Sequence, residues 1–588
     1  MRHPRLCPEV LLPSIAAALL LATAVPASAQ MVFDGNILYY NNISKTEALN
    51  NITNQFVGTA GAGAPSCAAG TTALSLATLT YTHNLYSDPL LPTALYTPNV
   101  TPEWRPQVGS PAFHHAVTVP NDGWFTQTCY AGAIGPLPED DWTQGWVTYD
   151  STGATRQDLH LPGMPTPRPL AIYDNIKLYS SQTWSADSNY LVRGQLRVKE
   201  QASLTIPAGT VIFGERASTA TIVIERGAQI FAIGTRTNPI IMTCDDTPGF
   251  MASGAWGGLV INGRARVNRV NSCAGDSAAS EGGAIGYYGG NDDNDNSGTI
   301  RYVRIEYSGK EITPNNELNT FTFNGCGRGT SADYLEAFYG QDDSFEWFGG
   351  AMDQKYLIGI DSKDDGYDWQ MGSRNRAQFV ILRQSPFYTI AGTQNGDKGI
   401  EADDNEFNFN EVQCSGRSNC QLSNVTFLGD HRVGLNFPGP TSAVNLRRGT
   451  AGMVVNSICY GFKTAALKVD DDATWQAHCV APPAAPAEFC QFTSVPELTG
   501  GKLFVSNGAP NPFRGHVNVN FTLPQATRVK VEIYAADGRL VTTLADGELA
   551  AGTHSLPWTL GAGTPSGVYF YKVRAGNATS TGKVTHVD

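Results

Sequence analysis

Carboxylates recur at a fixed spacing in the middle of this chain. The segment DYLEAFYGQDDSFEWFGG, Asp333 to Gly350, is followed at an offset of 22 residues by KYLIGIDSKDDGYDWQMG, Lys355 to Gly372. Superposed, Asp342 falls on Asp364, Asp343 on Asp365, Glu346 on Asp368 and Trp347 on Trp369. A third, degenerate copy runs from Asp397 to Glu401, with Lys398 in the place of the second Asp. Carboxylate oxygens are the ligands Ca²⁺ prefers, with turn carbonyls completing the shell. Asp342, Asp343, Glu346, Asp364, Asp365 and Asp368 are therefore candidate calcium ligands. Two other readings use the same residues. Turn aspartates commonly accept backbone N–H groups and need no ion. Alternatively, two carboxylates in unlike environments could act as acid and base on a polysaccharide. Asp364 with Asp368, or Asp343 with Asp365, would be that pair, with Lys398, Arg374 or Arg376 as base or charge stabiliser. A catalytic pair needs to occur only once, whereas these acids are copied from repeat to repeat.

The elements that would position these acids follow from the repeat length. A unit of about 20 residues, strand-like and punctuated by Gly and Asp, points to a solenoid in which each copy is one coil. Side chains alternate along a strand, so Phe345 and Trp347 face one way and Glu346 the other. Stacked at about 4.8 Å, the rings form an interior ladder, and Glu346, Asp368 and Glu401 form an outer acidic one. Neighbouring like charges repel by about 1 kcal/mol per pair in water and more at lower dielectric. A bound cation or Lys398 would offset that repulsion.

Regular strands begin near Tyr173. LTIPAGTVIFG (Leu204 to Gly214) is echoed by IVIERGAQIFAIG (Ile222 to Gly234), and the 18 residues between Gly209 and Gly227 read as one coil. Short apolar strands continue without a helix-period stretch, giving one solenoid over 171–479. Residues 30–170 are irregular and read as a β-rich flanking region or solenoid cap. A Pro- and Ala-rich linker covers 480–500. Dense short strands over 501–588 imply an Ig-like sandwich. The fold class is all-β, a parallel β-helix followed by a small Ig-like β-sandwich.

Residues 1–29 have basic residues, an apolar run and Ala27-Ser28-Ala29, the pattern of a secretory signal peptide. No later run is long and apolar enough to span a bilayer. A formal charge of −13 with 16% charged residues argues against nucleic acid as a partner. Beyond Cys7, ten of the 11 cysteines remain, an even number suited to an oxidising compartment. Cys414 with Cys420, Cys479 with Cys490 and Cys67 with Cys129 are plausible bridges. Stock motifs for acyl transfer, nucleotide hydrolysis, zinc proteolysis and haem attachment are missing.

Two resemblances add to this reading. The last part of the chain resembles the Ig-like domain of flagellar hook-capping proteins and of type IX secretion sorting domains. The matching marks are Pro510-Asn511-Pro512-Phe513, Asp537-Gly538-Arg539, Gly567-Val568-Tyr569-Phe570-Tyr571 and Lys583. The middle looks like secreted bacterial right-handed β-helix proteins with coils of the type Asp342-Asp343-Ser344-Phe345-Glu346-Trp347-Phe348-Gly349-Gly350. The first likeness implies delivery to, or anchoring at, the cell surface and says nothing about catalysis; the second supports the fold and leaves the function open. The expectation is a structural or adhesive surface module, with extracellular glycans or other surface proteins as partners. The alternative is a polysaccharide lyase or glycoside hydrolase on the same scaffold.

Overall fold

The repeated segments are successive coils of one winding. Leu335 lies beside Leu357, Glu346 beside Asp368 and Trp347 beside Trp369, all in parallel ladders. The third copy keeps this register, with Tyr367 beside Ile400 and Asp368 beside Glu401. The structure is a computed structural model that describes residues 32–39, 56–59, 84–91, 104–149, 167–384, 397–409, 416–429, 440–474, 504–505 and 513–587, less short gaps such as 107–109, 269–277, 282–284 and 314–315. The signal-peptide segment and the 480–500 linker lie outside these residues. Among the described residues the coils build one parallel sheet of 17 strands and another of 11.

Sequence alternation explains the interior. On the smaller sheet, Phe345 stacks on Phe321 with centroids 5.2 Å apart, Trp347 on Phe323 at 5.5 Å and Tyr367 on Trp347 at 3.9 Å. On the larger sheet, a long strand bends once in each coil, at a residue of positive φ. These residues are Tyr302 (49°), Tyr334 (57°), Tyr356 (64°), Phe379 (63°) and Asn424 (57°). A left-handed conformation costs a residue with a Cβ roughly 1–2 kcal/mol. Ring stacking offsets much of that: Tyr302 lies 4.3 Å from Tyr334, Tyr334 4.4 Å from Tyr356, and Tyr356 5.2 Å from Phe379.

Near the start of the β-helix the coil differs from the 18-residue expectation. Leu204 pairs with Ile230, not with Ile222, and Val211 pairs with Ile241. The two look-alike segments lie on different faces, because Thr221–Ile224 belongs to the smaller sheet and Ser203–Pro207 to the larger. Each is a strand followed by a Gly-containing turn, and such corners look alike in sequence wherever they fall in the coil.

Residues before 150 do two jobs. Val32–Asp34 pairs in parallel with Ala451–Val455, Ile37–Tyr39 with Ile458–Tyr460, and Phe56–Thr59 with Ala465–Asp470, so the chain's first strands add a coil to the far end of the β-helix. The segment that follows then runs back over the outside of the larger sheet. The backbone N–H of Thr126 donates to Gln378 (2.8 Å), that of Ala133 to Thr426 Oγ1 (2.8 Å) and that of Thr148 to Glu336 (2.9 Å). Trp142 and Trp146 meet the stacked tyrosines edge-on.

Asn36 locks the added coil in place. Fully buried, it accepts from the Ser457 N–H (2.8 Å) and donates to the Val454 carbonyl (3.2 Å) and to Asn84 Oδ1 (3.1 Å). Asn36→Ala is expected to cost about 1–3 kcal/mol, because it orphans buried polar groups. Denaturant midpoints will check this, and an unchanged midpoint would mean the added coil contributes nothing to stability.

The expected Cys414–Cys420 bridge is not formed. Cys420 alternates inward with Leu422 along Asn419–Leu428 and is a free thiol in the core. The other two proposed pairs lie outside the described residues. The C-terminal unit, taken alone, stacks a three-stranded antiparallel sheet on a four-stranded one. Val519, Phe521 and Trp558 of the first share a core with Val531, Ile533 and Tyr571 of the second.

Candidate functional site

The acids copied in the sequence meet on the smaller sheet, opposite the stacked rings. Thr322, Glu346, Asp368, Glu401 and Asn445 follow one another across neighbouring strands. Glu346 is 5%, Asp368 7% and Glu401 7% exposed, so the outer acidic ladder expected at the surface is covered. The cover comes from the described parts of the excursion between Asn262 and Gly298, residues 263–268, 278–281 and 285–297. From it, Asn268 donates to Asp404 (2.8 Å) and Ser280 Oγ accepts from Asn324 (2.8 Å). Val267, Ala278 and Tyr288 of the same excursion pack on Phe348 and Met371. An insertion of no regular period gives no sign in the sequence of what it will lie against.

A second column stands in the turns that enter these strands. The Asp343 N–H donates to Asn319 Oδ1 (3.2 Å), the Asp365 N–H to Asp343 Oδ1 (2.8 Å) and the Lys398 N–H to Asp365 Oδ1 (2.7 Å). One oxygen of each turn aspartate thus holds the next coil, as the ion-free reading of these residues expects. Asp342 is half-buried and Asp364 exposed. The strand ends at Phe348 and is followed by Gly349 (φ +70°) and Gly350 (φ +82°), where a Cβ would lie 2.4 Å from Val267 and from the Cys326 carbonyl respectively, so the Gly pair after the acidic strand is required.

Several sets of carboxylate oxygens lie within 4.8 Å of one another. Asp343, Glu346 and Asp368 form one, and Asp342, Asp343 and Asp364 another; Asp364, Asp365 and Asp397, and Asp365, Asp368 and Glu401, form two more. Glu346 accepts from Gln370 Nε2 (3.0 Å) and from the Asn319 amide. Asp368 Oδ1 is buried with no hydrogen-bond partner among the described residues. One contributor had no motif to mark it. Glu281, on the covering excursion, is pushed up to about 8 by burial and by the charges of Glu317 and Glu406, and it in turn bears on Glu346.

Electrostatics follow the same geometry. Burial first, then neighbouring acids, raise the Asp343, Glu346 and Asp368 carboxyls well above the usual range. Lys398 Nζ lies 2.7 Å from Glu401 and 3.6 Å from Asp365 and also pairs with Asp397. Burial works against its charge, but these three acids outweigh burial and hold the ammonium protonated. Arg447 pairs with Glu401 and, at 2.7 Å, with Asp403. Arg374 is committed to Asp293 (2.8 Å) and Arg376 to Asp353 and Asp122. The run around Asp292 to Asp295, which alternates like a calcium loop, supplies the Arg374 partner and a Ser297 contact at 2.9 Å.

Calcium–oxygen distances near 2.4 Å place ligand oxygens up to about 4.8 Å apart across the ion. The set Asp343, Glu346 and Asp368 has that spacing, with oxygen-only chemistry and a buried oxygen lacking a partner. The residues present therefore fit a hard divalent cation.

Comparison with known proteins gives two family matches. The family described as "Pectate-lyase like beta helix domain" matches residues 176–509, and the one described as "Secretion system C-terminal sorting domain" matches residues 509–586. No curated protein and no solved structure matches the chain.

Proposed function

For a chain that belongs to the pectate-lyase-like β-helix domain family, we propose a structural or adhesive rod whose acidic column is neutralised by a divalent cation, Ca²⁺ by its ligand chemistry. Its sorting domain marks the protein as secreted and destined for the cell surface. The observation that carries the rod reading is the use made of the copied acids. Asp343 and Asp365 each accept the backbone N–H of the next coil, a role that every coil needs. The ligands of such a rod would be extracellular glycans or other surface proteins.

Thermal melting with Ca²⁺ and with a chelator tests the cation. Free Ca²⁺ a hundredfold above Kd contributes about 2.7 kcal/mol, a shift of roughly 5 °C for a domain of this size. Superimposable melts would sink the cation. Asp368→Asn should remove the shift while leaving the chelator-treated melt almost where it was.

A second reading, a polysaccharide lyase or glycoside hydrolase, is favoured by one observation. Glu281, protonated at neutral pH, shares its site with Glu346 and could donate a proton. Against it, Lys398 is held charged and is no base, and Arg374 and Arg376 are paired elsewhere. Unsaturated or new reducing ends released from a panel of acidic and neutral glycans would reverse the preference.

A further inference from the structure

We infer that the column holds a single divalent cation, seated between the coil of Asp342 to Glu346 and the coil of Asp364 to Asp368, and that Lys398 is the built-in cation of the next storey. This rests on the cation reading above and adds where the ion sits, how many there are, and why.

Each storey lies between two adjacent coils. In the upper one, Asp343, Glu346 and Asp368 converge, flanked by Asp342 and Asp364. Among the described residues, no lysine or arginine pairs with any of these five. In the lower one, Asp365, Asp368 and Glu401 converge beside Asp364, Asp365 and Asp397. That storey already contains the Lys398 ammonium, in contact with Asp365, Asp397 and Glu401, and the Arg447 guanidinium on Glu401. Above the upper storey the corresponding positions of the two columns are the neutral Asn319 and Thr322, while Glu281 and Glu317 bear on the storey from outside those columns.

The turn column explains how one substitution divides the site. Asn319, Asp343, Asp365 and Lys398 occupy the same place in successive coils. Where the place is Asp on both coils, as at Asp343 and Asp365, the coils share a backbone hydrogen bond but the place itself brings no positive charge. Lysine in that place fills the gap with its own charge. Asp368 stands where the two storeys meet, and its buried Oδ1 has no hydrogen-bond partner among the described residues; the lower storey offers Lys398 and Arg447 to its acids, the upper one offers no basic side chain. A lysine-filled storey would not need a free ion, and a divalent cation would have to displace a tethered ammonium to enter it.

Calcium titration of the full mature chain by calorimetry, with circular dichroism to confirm folding, tests this. The expected stoichiometry is one ion per chain. Glu346→Gln should abolish binding, whereas Glu401→Gln, confined to the lower storey, should keep the single ion. Lys398→Met should raise the stoichiometry from one to two. Retention of the ion by Glu346→Gln with loss in Glu401→Gln would overturn the placement. A folded Lys398→Met that still binds one ion would overturn the role of the lysine. If Lys398→Met does not fold, the Glu346 and Glu401 variants still decide the placement. No binding by the unsubstituted chain, together with no effect of chelator on melting, would instead reject the underlying cation reading.

Discussion

Replacing Trp347 with alanine should lower the unfolding free energy of the β-helix by about 3–5 kcal/mol, the range for deleting a buried large aromatic. Trp347 is fully buried between Phe323 and Tyr367 of the neighbouring coils, with centroids at 5.5 and 3.9 Å, and within the strands Phe345 stacks beside Trp347 while Trp369 meets Tyr367 edge-on. Each coil contacts only its neighbours in a solenoid, so a gap here separates two half-rods. The milder substitution discriminates further. Trp369 Nε1 donates to Thr450 Oγ1 at 2.9 Å, whereas Trp347 Nε1 is buried with no partner among the described residues. Trp347→Phe should therefore be less costly than Trp369→Phe, by about 1 kcal/mol. Chemical denaturation of the pair will check this, and equal losses would show that ring volume alone decides.

Stability in chelator should fall as pH rises from about 5 to 8, and calcium should reverse the trend. Asp343, Glu346 and Asp368 have folded-state pKa values raised above their unfolded ones, near 4, and Glu281 is raised to about 8. The folded state then holds more protons than the unfolded one. Their contribution is fully present below the unfolded pKa and is lost as pH climbs through the folded one. Calcium binds only the ionised carboxylates, so its affinity strengthens over the same interval. The difference between calcium and chelator melts should be near zero at pH 5 and largest at pH 8. Asp293 runs the other way, because Arg266 and Arg374 hold its carboxyl below the ordinary range. Its contribution disappears only as pH falls below about 4, outside the window. A chelator melt that stays flat or rises from pH 5 to 8 would show that the acids are neutralised by protein groups alone.

Much of the coil was legible because both the pattern and its period are local. The 22-residue offset, the alternation through Phe345, Glu346 and Trp347, and the alignment of Glu401 with Asp368 all reappear as strand register. The interrupted third copy was readable because its short motif survived the insertion. What could not be read depends on contacts between distant segments. Nothing in the residues from Asn262 to Gly298 says that they will cover the acids, or that Glu281 will stand beside Glu346. The same limit explains the misassigned coil near Gly209, where two similar corners belong to different faces. Cys420 was paired by proximity in sequence, whereas its alternation with Leu422 already pointed it inward.

The coil contributed by the chain's first strands carries a consequence for the order of assembly. Asn36 reaches Ser457 and Val454 across separations of 421 and 418 residues, so this closure requires a very long loop. Val32–Asp34 is thus made long before its partner, and until the two meet Ala451–Val455 presents one unpaired edge. Contacts this remote in sequence form slowly. A nascent or partly translocated molecule that lacks residues 451–470 therefore cannot close this coil, and the closure is a late event.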